Sequence, residues 1–268
     1  MGSRVGYLPV MIEVSLDAFA FLLAVAFMAG GIDAMAGGGG LLTIPALLAC
    51  GVPPVSALAT NKLQSACGTG SAFVTFLRAG KIDLKALALP ALGAFLGSLA
   101  GGTVVQFVDS SFLAAFVPVL LIAMGLYYLL APPMSDIDRH ARLDRIGLTL
   151  LAIGIGFYDG FFGPGTGSFF TTALVALGGF GLVRAIAATK FLNFATNLSA
   201  LIALIVGGHM LWVLGAGMAV ANVAGNQVGA RLAIRHGGKG VRPLLVIVSF
   251  ALTVKLLSDP KNPLWHWL

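Results

Sequence analysis

Residues 30–64 read GGIDAMAGGGGLLTIPALLACGVPPVSALATNKLQ. An apolar run breaks at four consecutive glycines, Gly37 to Gly40. A short apolar piece follows and stops at Pro53-Pro54. The next apolar segment carries a cation, Lys62, well inside it. Residues 156–193 repeat the pattern as GFYDGFFGPGTGSFFTTALVALGGFGLVRAIAATKFLN. A broken apolar passage followed by an inward lysine, present twice, is the feature that any fold must accommodate.

Working outward, the composition sets the solvent. The 268 residues are 58% hydrophobic and 10% charged, with a mean hydropathy of +0.98. A water-soluble domain of this size needs far more polar surface, so the chain reads as an all-α polytopic membrane protein. The 36 glycines suit close helix packing in lipid. The net charge of +6 is confined to a few loops, where it reads as an orientation signal and not as a nucleic-acid surface. Cys50 and Cys67 both lie in apolar context, which indicates neither a disulfide framework nor a metal site. The first apolar run lacks a clear cleavage site and is long enough to be a retained span.

A transmembrane helix needs about 20 apolar residues. Eight segments qualify: 14–36, 55–77, 84–107, 111–131, 145–162, 183–206, 211–233 and 240–257. Two pieces, 41–50 and 167–179, are too short and read as half-membrane helices. The polar loop 132–145 joins a first repeat, 1–131, to a second, 146–268. Asp33 recurs as Asp159 and Gly37 as Gly163, both 126 residues on; Lys62 recurs as Lys190, 128 on. Gly97 and Gly101 recur as Gly225 and Gly229, each pair a small-xxx-small spacing. Basic residues follow the first lysine helix (Arg78, Lys81, Lys85), whereas the matching loop in the second half has only His209. One helix later the bias swaps, to Asp109 in the first half and Arg231, Arg235, Lys239 and Arg242 in the second. The positive-inside rule then places the two repeats in opposite orientations, with five segments in each.

Lys62 and Lys190 are the first candidates for chemistry. A charge at the bilayer centre costs about 2.5–3.5 kcal/mol on insertion scales, so neither is expected to face lipid. They line an anion cavity, or pair with Asp33 or Asp159, or snorkel to an interface; the sequence leaves these open. A helix that starts in mid-membrane presents free N–H groups and a positive dipole end, which suits an anion. Gly38, Gly39 and Gly40, and Gly165, Thr166, Gly167 and Ser168, are therefore expected to line the cavity, because irregular backbone at membrane depth needs such cover. Asn61 and Gln64 beside Lys62, Thr189, Asn193 and Asn197 beside Lys190, and Asn226 on the following helix are further candidates. Asn61 and Ser65 share one helix face, as do Asn193 and Asn197. Asp33 and Asp159 neutralise the lysines or carry a coupling proton. No HExxH, P-loop or GxSxG motif is present and no catalytic residue, metal or cofactor is expected.

The doubled motif resembles the TauE/SafE family of sulfite and organosulfonate exporters, also called the toluene sulfonate uptake permeases. The resemblance covers about residues 15–257. It implies a secondary transporter in the bacterial cytoplasmic membrane, energised by gradients or a partner chain, for sulfite, sulfoacetate or another small anion. The anion would sit near the midplane between the repeats, and alternating access would come from one half rocking against the other. An anion-selective channel is the rival reading. The expected partners are a small anion and the lipid bilayer, with a homodimer left open and no nucleic acid.

Overall fold

The computed structural model describes residues 15–130, 137–236, 254 and 258. The expected span 240–257, the basic residues Lys239 and Arg242, and the start of the polar loop lie outside the described residues. Among the described residues there is no strand. The helices are α1 (Leu16–Ala36), α2 (Gly40–Ala49), α3 (Pro54–Arg78), α4 (Leu84–Val104), α5 (Ser110–Leu130), α6 (Arg145–Phe161), α7 (Thr166–Ala176), α8 (Leu182–Val206) and α9 (Trp212–His236).

Local sequence accounts for the boundaries. Ser15, Asp83 and Asp144 cap α1, α4 and α6, each accepting a backbone N–H with its side chain. Pro54 occupies the first turn of α3, where a missing N–H costs nothing. α1 ends because Gly37 adopts φ +80°, with its N–H on the Asp33 carbonyl at 2.8 Å. At about 1.5 Å per residue, α3 and α8 are about 37 Å long, whereas α2 and α7 reach only about 15–17 Å, half of a bilayer core.

Among the described residues, four helical stretches are long and apolar enough to cross a membrane: Leu16–Met35, Leu84–Phe107, Ser110–Tyr127 and Leu182–Val206. The expected spans at 55–77, 145–162 and 211–233 also form helices, but not of that apolar kind. α6 stops at 17 residues, and α3 and α9 carry their polar side chains inward. The short pieces become Gly40–Ala49 and Thr166–Ala176, the second ending earlier than expected because Gly178 and Gly179 turn the chain.

Glycines set the packing. Gly93, Gly97 and Gly101 of α4 lie against Thr149, Ile153 and Phe157 of α6, so these helices run parallel. Gly225 and Gly229 of α9 lie against Phe27 and Gly31 of α1, again in parallel. A Cβ at Gly97, Gly101, Gly225 or Gly229 would strike a backbone carbonyl of the neighbour. The two lysine helices run the opposite way to each other. Phe76 shares a cluster with Ile186 and Ala187, Phe73 stacks on Phe191 at 5.0 Å, and Lys62 reaches Asn197.

The result is inverted relative to a water-soluble domain. Leu92, Leu96, Leu129, Leu150, Val206 and Val220 are exposed, while Thr60, Asn61, Lys62, Gln64, Lys190 and Asn226 are buried. Apolar outside and polar inside is what lipid demands and water forbids, which defines an integral membrane protein. One end of the bundle collects the basic residues. Arg145 donates to the Lys85 carbonyl, Arg184 pairs with Asp138, and the backbone N–H groups of Arg139 and Arg142 donate to the turn at Leu177 and Gly179. The C-terminal part of α9, with Arg231 and Arg235, packs at this end beside Phe76 and Leu182. At the opposite end the charged residues described are Asp17 and Asp109, with His209 half-buried.

Candidate functional site

The site is built from two broken passages. α1 carries Asp33 one turn before Gly37, and α6 carries Asp159 one turn before Gly163. Gly37, Gly163 and Gly165 have φ of +80°, +94° and +83°, conformations that L side chains adopt only with strain. The breaks also meet. A Cβ on Gly37 would collide with the Gly167 backbone, and one on Gly167 with Gly37, so neither position has room for a side chain. The half-helices are stitched to the lysine helices by equivalent bonds. Thr43 of α2 donates to Asn61 Oδ1 at 2.5 Å, and Thr171 of α7 meets the Thr189 hydroxyl at 3.0 Å.

Each lysine is taken by the aspartate of the other half. Lys62 Nζ lies 2.8 Å from Asp159 Oδ2, and Lys190 Nζ lies 3.1 Å from Asp33 Oδ2. Both lysines are 1% exposed, so neither snorkels. Of the readings left open by the sequence, this structure displays the ion pair. Lys62 has a further partner in Asn197 Oδ1 at 3.2 Å, and Lys190 also donates to the Asp33 main-chain carbonyl. Asp159 Oδ2 makes no hydrogen bond of good geometry, so its nearby compensation is the Lys62 charge.

Between the breaks lies a polar hollow with room for about one water. Its wall is Asp33 and Asp159, the glycines Gly37, Gly40, Gly163 and Gly167, and the polar side chains Asn61, Ser65, Asn193 and Asn197. The lysines stand behind their carboxylates and not on the wall.

The expected residues distribute unevenly around it. Gly40, Gly167, Asn61, Asn193, Asn197, Asp33 and Asp159 reach the wall. Gly38, Gly39, Gly165, Thr166 and Ser168 build the turns behind it: Gly38 and Gly39 carbonyls accept from Leu41 and Leu42, and Thr166 donates to the Gly163 carbonyl at 2.7 Å. Gln64 donates to Asn61, and Thr189 meets Thr171. Asn226 sits away from the hollow, wedged among Gly30, Gly68 and Asn222 where α1, α3 and α9 meet. Three further wall residues, Gly37, Gly163 and Ser65, belong to the same two glycine breaks and the same polar cluster beside Lys62. Sequence signals for them existed: Gly37 and Gly163 are a matched pair in the repeat, and Ser65 shares the Asn61 face.

A polar, charge-paired interior inside an apolar helical shell fits a membrane transport protein. The chain belongs to the sulfite exporter TauE/SafE family, whose profile matches residues 22–256. It is 46% identical to a Sinorhizobium sp. protein named "Probable membrane transporter protein ORF9", over 96% of this chain and 99% of that one. It is 45% identical to "Probable membrane transporter protein YfcA" of Escherichia coli K12, over 92% of this chain and 93% of that one. A Haemophilus influenzae protein named "Probable membrane transporter protein" is 42% identical, over 92% and 97%. No solved structure matches the chain.

Proposed function

We propose that this chain is a multi-pass secondary transporter of small anions of the sulfonate or sulfite class, in a bacterial cytoplasmic membrane. The observation that carries the reading is the convergence of both glycine breaks and of the Lys62–Asp159 and Lys190–Asp33 pairs around one hollow in an otherwise apolar bundle. Lys62 and Lys190 each lie eight residues into their helix, about 12 Å from its start. Because α3 and α8 are antiparallel, the two lysines approach the midplane from opposite sides.

The reciprocal pairing of each lysine with the other half's aspartate supports an inverted repeat. So do the parallel α1/α9 and α4/α6 contacts and the antiparallel α3 and α8. Under the positive-inside rule the end holding Arg78, Lys81, Arg142 and Arg231 faces the cytoplasm. In this arrangement α3, α6 and α9 also cross, and α2 and α7 meet from opposite sides. The hollow admits about one water, so a sulfonate enters only when the halves part. That favours alternating access over an open pore.

Counterflow in liposomes tests the reading. Vesicles holding unlabelled isethionate, sulfoacetate, taurine or sulfite are challenged with the labelled anion outside. Saturable exchange is expected for at least one of them. Unsaturable flux that an inside anion fails to accelerate would indicate a channel.

A further inference from the structure

The two ion pairs resemble each other by symmetry and differ in their partners, and the difference has a functional consequence. Lys190 donates to the main-chain carbonyl of Asp33 as well as to its carboxylate. That carbonyl is at the C-terminal end of α1, where the helix dipole favours a cation. Lys190 therefore keeps an anchor even when the Asp33 carboxylate loses its charge. Lys62 has no such main-chain anchor among the described residues: it holds the Asp159 carboxylate and the Asn197 amide, both side chains. Its ammonium also lies beside Gly163, where a Cβ would come within 3.1 Å of it, so it stands at the second break itself.

Charge balance supplies the second argument. Two cations and two carboxylates surround the hollow, and their net charge is zero. A lone anion added there would leave one uncompensated negative charge in a dry interior, which is strongly unfavourable. An anion that arrives with one proton leaves the balance unchanged. The wall presents Asp159, not Lys62, so the anion reaches the ammonium only after the carboxylate releases it. Resting on the anion-transport reading above, we infer that Asp159 takes up one proton as the anion binds Lys62. The anion and the proton then cross together, electroneutrally for a monovalent sulfonate. Lys190–Asp33 stays closed as a structural tie.

The charged groups around Asp159 fit this assignment. α3 contributes Lys62, α1 contributes Asp33 across the hollow, and α8 contributes Lys190 behind Asp33. α4, which packs along α6, carries Lys85 only at its basic end; α7 carries no charged residue. α8 turns the neutral amides of Asn193 and Asn197 to the hollow. In the step itself Lys62 keeps its proton, the Asp159 carboxylate gains one from water on the loading side, and release on the other side returns it.

The test uses the full chain in liposomes with methanesulfonate, a strong acid that stays ionised across the pH range. A pH dye reports the lumen, and potassium with valinomycin sets the voltage. An inward methanesulfonate gradient should acidify the lumen, voltage should not alter the flux, and the anion should accumulate about tenfold per unit of pH gradient. In Asp159→Asn the number of protons moved per methanesulfonate should fall from about one to zero, whatever anion flux remains; in Asp33→Asn, if it folds, that ratio should stay near one. Wild-type counterflow without luminal acidification overturns the proton assignment and leaves the anion site standing. Absent wild-type counterflow with methanesulfonate and with every anion of the panel above overturns both. Coupling that survives in Asp159→Asn but is lost in Asp33→Asn overturns the division of labour. Should Asp159→Asn fail to fold, the wild-type ratio of protons to anions and its voltage response still decide.

Discussion

Replacing Lys62 by methionine keeps most of the side-chain volume and removes the charge. Lys62 is 1% exposed, and the Asp159 side chain that it holds at 2.8 Å is 3% exposed, so water cannot substitute for the lost ammonium. Breaking a buried pair from one side costs about 3–5 kcal/mol, because the surviving charge is left uncompensated. Replacing both members by apolar residues removes that residual charge, so Lys62→Met/Asp159→Leu should lie within about 2 kcal/mol of the parent. The assay is reversible unfolding in detergent or bicelles for the parent, both single variants and the double, closed as a mutant cycle. A large loss in Lys62→Met that is largely restored in the double variant is the expected pattern. The restored double variant should nonetheless fail to bind or exchange methanesulfonate. A Lys62→Met protein as stable as the parent would refute the buried pair, and a double variant with parental anion binding would refute the role of Lys62.

Other consequences can be measured independently. Gly97→Leu and Gly225→Leu force a side chain into a neighbouring backbone, so each should lower stability by about 1–3 kcal/mol or more, read by thermal melting. Gly167→Ala places a methyl on Gly37 at the crossing of the two breaks; it should abolish exchange even in protein that reaches the membrane, as counterflow will show. Single cysteines at Lys81 and Trp212, in a Cys50→Ser/Cys67→Ser background, should be labelled by an impermeant thiol reagent from opposite faces of oriented vesicles, Lys81 from the cytoplasmic side. Asp138 is exposed, and the Gly181 N–H together with Arg184 holds its carboxyl below the ordinary carboxylate range. Its contribution is therefore present at neutral pH and lost as pH falls through that depressed value; Asp138→Asn should remove this acid-side component from the pH dependence of melting.

Much of the architecture is legible in the sequence itself. The glycine runs marked both breaks, Pro53-Pro54 marked the start of α3, and the 126- and 128-residue offsets brought Asp33, Gly37 and Lys62 into correspondence with Asp159, Gly163 and Lys190. These signals are local or periodic, and local chemistry enforces them. The choice of ion-pair partner was not legible. Lys62 takes Asp159, 97 residues away, because α3 and α6 each pack against α8, long-range packing that no spacing encodes. Nor could spacing tell which amides face the hollow. Gln64 lies three residues beyond Asn61, yet it donates to Asn61 from behind, and Asn226 is drawn to the glycine-lined crossing at Gly30 and Gly68. The sequence suggested an electropositive pocket because lysines are conspicuous in an apolar helix. That Asp33 and Asp159 neutralise the lysines is among the sequence readings; which carboxylate screens which lysine follows only from the folded halves.

In the proposed mechanism an anion binds between the two breaks by displacing Asp159 from Lys62. The most direct measurement is a structure determined with methanesulfonate bound. Sulfonate oxygens are expected within hydrogen-bond distance of Lys62 Nζ, beside Gly163 and Asn197, with the Asp159 carboxylate turned away. A sulfonate bound elsewhere, with the Lys62–Asp159 pair intact, would contradict it.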